Sequence, residues 1–252
     1  MKITVLGSGA SSGVPAAGNF WGNCDPENKK NHRMRASILI ESGITTLLVD
    51  MTPDVRHQLK VQHLDGILLS HAHADHIHGM DDLRVLSYHM EKTLDLYGNQ
   101  ATIDELEKRF SYVFKGSSNG AYMPFMKPHI IEPYTRVTFG DIDIELFEQD
   151  HTTCQTLGFR IGDFAYSVDV AHLDERALEA LSGVKTWIVD AAKYHQPTTL
   201  HANIEQVKGW VGLIQPDITY LTVLTSFMDY NTLCDELPKN IRPAYDGLTL
   251  EV

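Results

Sequence analysis

The apolar run Gly66-Ile67-Leu68-Leu69 leads straight into Ser70-His71-Ala72-His73-Ala74-Asp75-His76, and no other stretch restricts the possible folds so strongly. Three imidazoles and a carboxylate crowd into six residues. Desolvation and mutual repulsion make such a cluster costly to hold together unless something neutralises it. A divalent cation, or a pair of them, does so: imidazole suits zinc, manganese and iron, and carboxylate adds hardness and charge. The apolar run reads as a strand and the segment after it as a helix. His71 and His73, two residues apart in the connecting loop, can converge on one ion. Asp75 and His76 open the helix and can face a neighbouring ion.

A site for two ions needs more ligands than one loop supplies. Gln149-Asp150-His151-Thr152 puts a histidine just past a predicted strand that ends at Phe147. Tyr166-Ser167-Val168-Asp169 puts an aspartate at the end of another. Ligands at strand ends, held on a rigid sheet edge, are what a metal site requires.

At 252 residues the chain can bury about three quarters of its unfolded surface. Its 43% hydrophobic and 21% charged residues are ordinary for a globular protein. The net charge of −12 argues against a general nucleic-acid coat, since phosphate backbones are held by Lys and Arg. It leaves a phosphate substrate open, because bound cations reverse the local sign. Cys24, Cys154 and Cys234 are far apart and odd in number, which implies neither a disulfide framework nor a zinc knuckle. The N-terminal Met1-Lys2-Ile3-Thr4-Val5-Leu6 lacks a signal-peptide layout, and no apolar run approaches the roughly 18 residues of a membrane span. A cytoplasmic protein without membrane contact is the expectation.

Short strands are predicted at Ile3 to Leu6, Ser37 to Glu41, Thr45 to Val49 and Ile67 to Ser70. Others are predicted at Ile142 to Phe147, Thr156 to Ile161, Ala165 to Val168, Thr186 to Val189, Ile218 to Leu221 and near Leu248. A helix follows Thr52-Pro53-Asp54 through Leu59. A second starts at Asp75, with Ile77, Met80, Leu83 and Leu86 on one side. Thr102-Ile103-Asp104-Glu105 reads as a capping box opening a third. Later helices are predicted over Asp174 to Leu181, from Asn203 through Ile214, and near Asp229 to Leu233. Ser111 to Pro128 reads as a loop pinned by its own aromatics, or else as an active-site wall or dimer contact. Meanders and alternating strands and helices appear in two halves, which predicts two sheets face to face with helices outside. Without linkers or repeats, residues 1–252 read as a single domain.

Gly7, Gly9 and Gly13 after the first strand imitate a dinucleotide fingerprint, but the third glycine comes one residue late. Close backbone approach to the metal site or to a substrate phosphate is the preferred reading. Arg33, Arg35 and Lys193 are candidate anion contacts, with solvated surface charge as the plainer reading of each.

With its H-x-H-x-D-H run, later histidine and later aspartate, the chain resembles the metallo-β-lactamase fold superfamily over nearly its whole length. It is most similar to the phosphodiesterase branch, which includes the phosphoribosyl cyclic phosphate diesterase of phosphonate breakdown. The transfer-RNA 3′-processing endonuclease is more distant. The residues behind this are Gly7-Ser8-Gly9 with Gly13-Val14-Pro15, Cys24-Asp25-Pro26, His73 through Arg84, and Ala244-Tyr245-Asp246-Gly247-Leu248.

The resemblance implies an α/β fold, the αββα sandwich of two mixed sheets. It implies two divalent ions, Mn²⁺ or Zn²⁺. His71, His73 and His151 would bind the first, Asp75 and His76 the second, with Asp169 bridging. Thr199-Leu200-His201-Ala202-Asn203-Ile204 resembles the stretch where the diesterases carry a non-ligand histidine, so His201 is the expected catalytic acid beside Asp75. One departure is Leu221-Thr222-Val223-Leu224, where these families usually place a last ligand histidine. The second ion is therefore expected to bind more weakly, with His195 and His172 as candidate substitutes. The structural-zinc cysteines of the phosphonate-pathway enzyme are also missing, since only Cys24 lies in that region.

The implied activity is hydrolysis of a small cyclic phosphate or nucleotide-like diester by a metal-bound hydroxide. The alternatives are a carbonyl hydrolase of the same fold (thioester, lactone or lactam), or a nucleotide- or metal-binding module with reduced turnover on account of Val223. The expected partner is a small phosphate ester or nucleotide rather than long nucleic acid, and a homodimer is expected from the relatives.

Overall fold

The computed structural model of the chain describes residues 1–117, 120–195 and 199–252. Among them, two mixed sheets of seven strands each form the centre of the molecule. The first contains β1 (Lys2–Gly7), β2 (Ser37–Glu41), β3 (Thr46–Val49), β4 (Gly66–Leu68), β5 (Leu94–Gly98), β6 (Met126–Ile130) and β14 (Thr249–Glu251). Its order is β14-β1-β2-β3-β4-β5-β6. The second contains β7 (Arg136–Phe139), β8 (Ile142–Asp150), β9 (Gln155–Ile161), β10 (Phe164–Ser167), β11 (Thr186–Asp190), β12 (Ile218–Thr222) and β13 (Ile241–Pro243), ordered β13-β12-β11-β10-β9-β8-β7.

Alternation along the strands sorts the apolar residues into three layers. Ile38, Ile40, Leu47 and Val49 point between the sheets and meet Ile144, Leu146, Phe159 and Tyr166. Leu48 and Ile67 point outward, under α1 (Val55–Gln58), α2 (Ala74–Ile77), α3 (Arg84–His89), α4 (Gln100–Arg109) and α5 (Ser111–Lys115). Trp187, Val189 and Leu221 do the same on the other side, under α6 (Glu175–Ala180), α7 (Ile204–Ile214) and α8 (Tyr230–Glu236). The result is the expected αββα sandwich.

Strand direction places the site. β1, β3 and β4 run the same way, because β1 and β3 both pair antiparallel with β2 while β3 and β4 pair parallel. In the second sheet β8, β10, β11 and β12 likewise share a direction. Their C-terminal ends emerge at one edge, where the two sheets are stitched together by Leu224 N to Ser8 O (2.9 Å) and Ala10 N to Leu224 O (3.2 Å).

Three local expectations are corrected. The helix from Asp75 through Leu86 is broken into α2, a 3₁₀ turn over Met80–Leu83, and α3. Gly79 lies so close to the preceding loop that a Cβ there would sit 2.0 Å from Thr52 O. Its N–H bonds Met51 O and the Met51 N–H bonds His76 O, so the chain bends to reach those partners. The cap of α4 is Asn99, whose side chain accepts from Thr102 N, and not Thr102 itself. Within Ser111 to Pro128, the described residues form α5 and the start of β6 instead of a continuous loop.

Candidate metal centre

β4 delivers the chain to the shared edge, and the residues beyond it turn through the histidine loop into α2, whose first turn carries Asp75 and His76. The loop is held from below by Asp50 at the end of β3. Asp50 is fully buried and has a left-handed backbone (φ 63°). Its carboxylate accepts from Ser70 N (2.8 Å) and Ser70 Oγ (2.8 Å) and pairs with His76 Nδ1 (2.7 Å). Ser70 Oγ lies 2.9 Å from His71 Nδ1. With their Nδ1 atoms so engaged, His71 and His76 keep Nε2 for the site.

The second sheet brings the opposing groups. His151 stands in the tight turn between β8 and β9, closed by its N–H donating to Cys154 O (3.0 Å). Its Nδ1 meets Leu200 O at 2.5 Å, which again leaves Nε2 free. Asp169 follows β10 in a left-handed conformation (φ 48°). Asp50, Thr152, Asp169 and Val223 all take positive φ at strand ends on this edge. Backbone strain of this kind is retained where the surrounding structure over-determines it, commonly at functional sites.

Asp169 Oδ2 stands 3.6 Å from His71 Nε2, 3.5 Å from His151 Nε2 and 3.4 Å from His76 Nε2. His76 Nε2 is 3.4 Å from Asp75 Oδ2. These separations are long for hydrogen bonds. They match neighbouring ligand atoms that share an ion at bond lengths of about 2.0–2.2 Å. His71 Nε2 and Asp169 Oδ1 are buried without a hydrogen-bond partner, a costly state that a cation would relieve. Two groups can hold an ion: His71, His73, His151 and Asp169, and Asp75, His76 and Asp169. Nitrogen and carboxylate donors without thiolate suit a divalent metal, so the residues present fit the implied cofactor.

The electrostatics agree. Burial, reinforced by the neighbouring His76, holds His71 well below the ordinary imidazole range, and burial likewise depresses His151. Both rings are thus neutral with a lone pair to donate. Burial opposes ionisation of Asp169, but the imidazoles of His76 and His201 overcome it and hold the carboxyl well below its usual range.

His201 sits beside this cluster, with its ring centroid 4.9 Å from that of His151. Its Nδ1 pairs with Asp190 Oδ2 at 2.8 Å. Asp190, fully buried at the end of β11, is itself fixed by the N–H groups of Val170 and Ala192. Burial alone would depress the His201 pKa, but the Asp190 carboxylate lifts it to about 9. Asp169, Asp190 and His201 also converge as a third group of potential ligands.

The structure thus brings together His71, His73, Asp75, His76, His151, Asp169 and His201. Val223 lies buried in the core and offers no donor atom. Neither candidate substitute joins the gathered groups: His172 is exposed beside Asp150, and His195 is exposed 3.9 Å from Glu205. Arg33 is not solvated. It is buried and donates to Thr225 O and Asn31 Oδ1. Arg35 is paired with Asp54. The close approach at Gly7 and Gly9 is to the backbone of Met34 and Arg35, because a Cβ at Gly7 would lie 2.0 Å from Arg35 O.

Asp50, Ser70 and Asp190 were not anticipated. A signal for two of them exists in the sequence: Leu47-Leu48-Val49-Asp50 and Trp187-Ile188-Val189-Asp190 each end an apolar strand with an aspartate, as Tyr166-Ser167-Val168-Asp169 does.

Residues 45–222 match the family model described as the beta-lactamase superfamily domain. Over 254 aligned residues the chain is 30% identical to an octanoyltransferase of Porphyromonas gingivalis, covering 98% of this chain and 51% of that protein. It is 29% identical over 166 residues to the exodeoxyribonuclease WalJ of Streptococcus pneumoniae, covering 62% of this chain and 55% of that protein. The chain spans about half the length of the curated relatives it matches. The crystal structure of a diphosphatase from the PhnP family superimposes with a TM-score of 0.89 at 28% identity, over 99% of this chain and 96% of that one.

Proposed function

The chain belongs to the beta-lactamase superfamily and has the fold of its metal-dependent hydrolases, and from that premise we propose that it is a phosphodiesterase acting on a small cyclic phosphate or nucleotide-like diester. The observation that carries this reading is His201, paired through Nδ1 with the buried Asp190 carboxylate, next to two ligand groups that share Asp169. A phosphate ester needs a proton for its leaving alkoxide, and an imidazolium at this place can give it.

His71, His73, His151 and Asp169 would hold one ion, and Asp75, His76 and Asp169 another. Bound there, divalent ions supply Lewis acidity toward the phosphoryl oxygens and lower the pKa of water. The protein supplies the rest. Asp50 and Ser70 fix the imidazoles of His76 and His71, so that little reorganisation accompanies the reaction. Asp75 is partly exposed, and its pairing with His76 outweighs burial and keeps it ionised, so it can accept a hydrogen bond from the attacking water and orient it. With Nδ1 of His201 committed to Asp190, Nε2 is the edge that can deliver a proton to the leaving group.

The PhnP-family diphosphatase and the WalJ exodeoxyribonuclease are both described by cleavage at phosphorus, which supports this reading. The octanoyltransferase favours a second one, hydrolysis of an acyl thioester or ester, although this chain corresponds to only half of that protein.

Chelator-stripped protein reloaded separately with Mn²⁺ and Zn²⁺ is the test. Metal-dependent hydrolysis of bis(p-nitrophenyl) phosphate is expected, and hydrolysis of an octanoyl thioester with an inert diester would establish the second reading instead. His201→Ala is expected to lower kcat by about 10²–10⁴-fold with bound metal unchanged. Loss of metal in that variant would make His201 a ligand.

A further inference from the structure

We propose that the depression between the chain segments leaving β11 and β12 is a subsite for a planar ring, a nucleobase or aryl group, carried by the ester whose phosphate occupies the metal centre. This rests on the phosphodiesterase reading and narrows it. The depression encloses about 420 Å³ and is walled by Lys193 and Tyr194 on one side and Thr225, Phe227 and Met228 on the other. That volume lies within the range of small-ligand sites, about 300–1,000 Å³.

Its position ties it to the chemistry. The walls are joined by Thr225 Oγ1 donating to Ala192 O (3.4 Å). The Ala192 N–H donates to Asp190 Oδ1 (3.1 Å), while Asp190 Oδ2 holds His201. The lining includes Ala192, two residues from the carboxylate that supports His201, and it is built from the segments that follow the C-terminal ends of β11 and β12. A group esterified to a phosphate beside His201 has this hollow as its neighbour.

The lining suits a ring. Phe227 is 52% exposed and meets Phe20, 50% exposed, edge to face at 5.9 Å between centroids. A single exposed phenylalanine would carry no argument. Phe227 lines the hollow and is braced by Phe20 from outside the lining, so it presents its ring at little entropic cost. Lys193 is exposed at the same lip and brings positive charge to a protein of net charge −12, as an anionic ligand requires. An aromatic platform beside a cation is the usual means of holding a base next to its phosphate.

Calorimetric titration of the metal-loaded protein with AMP and with ribose 5-phosphate isolates the ring, since the two probes share sugar and phosphate. AMP is expected to bind about tenfold more tightly, the fold-change given by one base stacked on one ring. Phe227→Ala is expected to abolish most of that preference, and Phe227→Trp to retain it. Equal affinity for the two probes, no binding of AMP at millimolar concentration, or an unchanged preference in Phe227→Ala would each overturn the subsite. The titration needs no turnover. An AMP preference in protein inert toward bis(p-nitrophenyl) phosphate would refute the diesterase reading alone, and diester turnover without a base preference would refute the subsite alone.

Discussion

At the end of β3, the left-handed backbone of Asp50 turns one fully buried carboxylate toward both Ser70 and His76. Through Ser70 it also reaches His71. Asp50→Ala would free two ligand imidazoles to rotate and leave the Ser70 N–H without its acceptor. Support of this type typically contributes 10–100-fold to metal affinity, and a loss of that order is expected by competition with a chromogenic chelator. The two sites should also differ. One has three imidazoles and a carboxylate, the other one imidazole and two carboxylates with Val223 contributing nothing. Titration with Mn²⁺ is expected to show two steps of unequal affinity, and equal steps would contradict this account.

With His201 as the proposed proton donor, the pH behaviour follows from its pairing with Asp190. Its pKa is raised by Asp190 to about 9, so the proton it would donate is present at neutral pH and is lost as pH rises through that value. The alkaline limb of the kcat profile should fall there. Asp190→Asn removes the charge that raises the pKa, which moves the limb to lower pH, toward the ordinary imidazole value of about 6.5. A limb that stays in place, or moves upward, would detach His201 from proton donation.

Among the elements, the α2-to-α3 segment depends most on a single small residue. A Cβ at position 79 would collide with Thr52 O, and the clash is with backbone, which cannot step aside. Gly79→Ala must therefore push α2 away from the Met51–Thr52 loop and carry His76 with it. A stability loss of about 1–3 kcal/mol by chemical denaturation is expected, as for other overpacked sites, together with weaker metal binding. The same contact explains why a continuous helix was legible in the apolar spacing of Ile77, Met80, Leu83 and Leu86 while the break was not. The periodicity records which residues face the core, and Ile77, Met80 and Leu83 are all buried. It does not record a hydrogen bond to a loop more than twenty residues earlier. Elements with strong local signals match closely. Asn203 caps α7 in a capping box with Gln206, and Asp174 and Asp229 cap α6 and α8. β5, β6, β7 and β13 give weak local signals, because they carry charged, proline or histidine residues that mask their alternation.

For the molecule as a whole, the candidate metal centre joins the two sheets. His71, His73, Asp75 and His76 come from the first, and His151, Asp169 and His201 from the second. A bound ion thus acts as a cross-link between halves otherwise held by the apolar layer of Ile38, Leu47, Phe159 and their neighbours. Removal of metal should lower the melting temperature, because a ligand that binds the folded state alone stabilises it by about 2.7 kcal/mol at a hundredfold excess over Kd. Thermal scans with EDTA and with added Mn²⁺ measure this directly. No difference between them would mean that the cluster is stable without an ion.

The ligand types and spacing that point to the beta-lactamase superfamily were present in the sequence, because H-x-H-x-D-H on a strand-to-helix corner is local chemistry. Three apolar strands that each end in aspartate were equally visible, but nothing local distinguishes Asp169, which faces the ligand groups, from Asp50 and Asp190, which hold imidazoles from behind. That division was decided only by the tertiary structure. It depends on which strand ends share an edge and on backbone torsions that aim each carboxylate, and both are set by strand pairing within each sheet and by the packing of one sheet against the other. The same holds for Arg33, a surface charge by composition that folding buries against Thr225 O, and for the hollow at Phe227, whose walls meet only because β11 and β12 lie side by side.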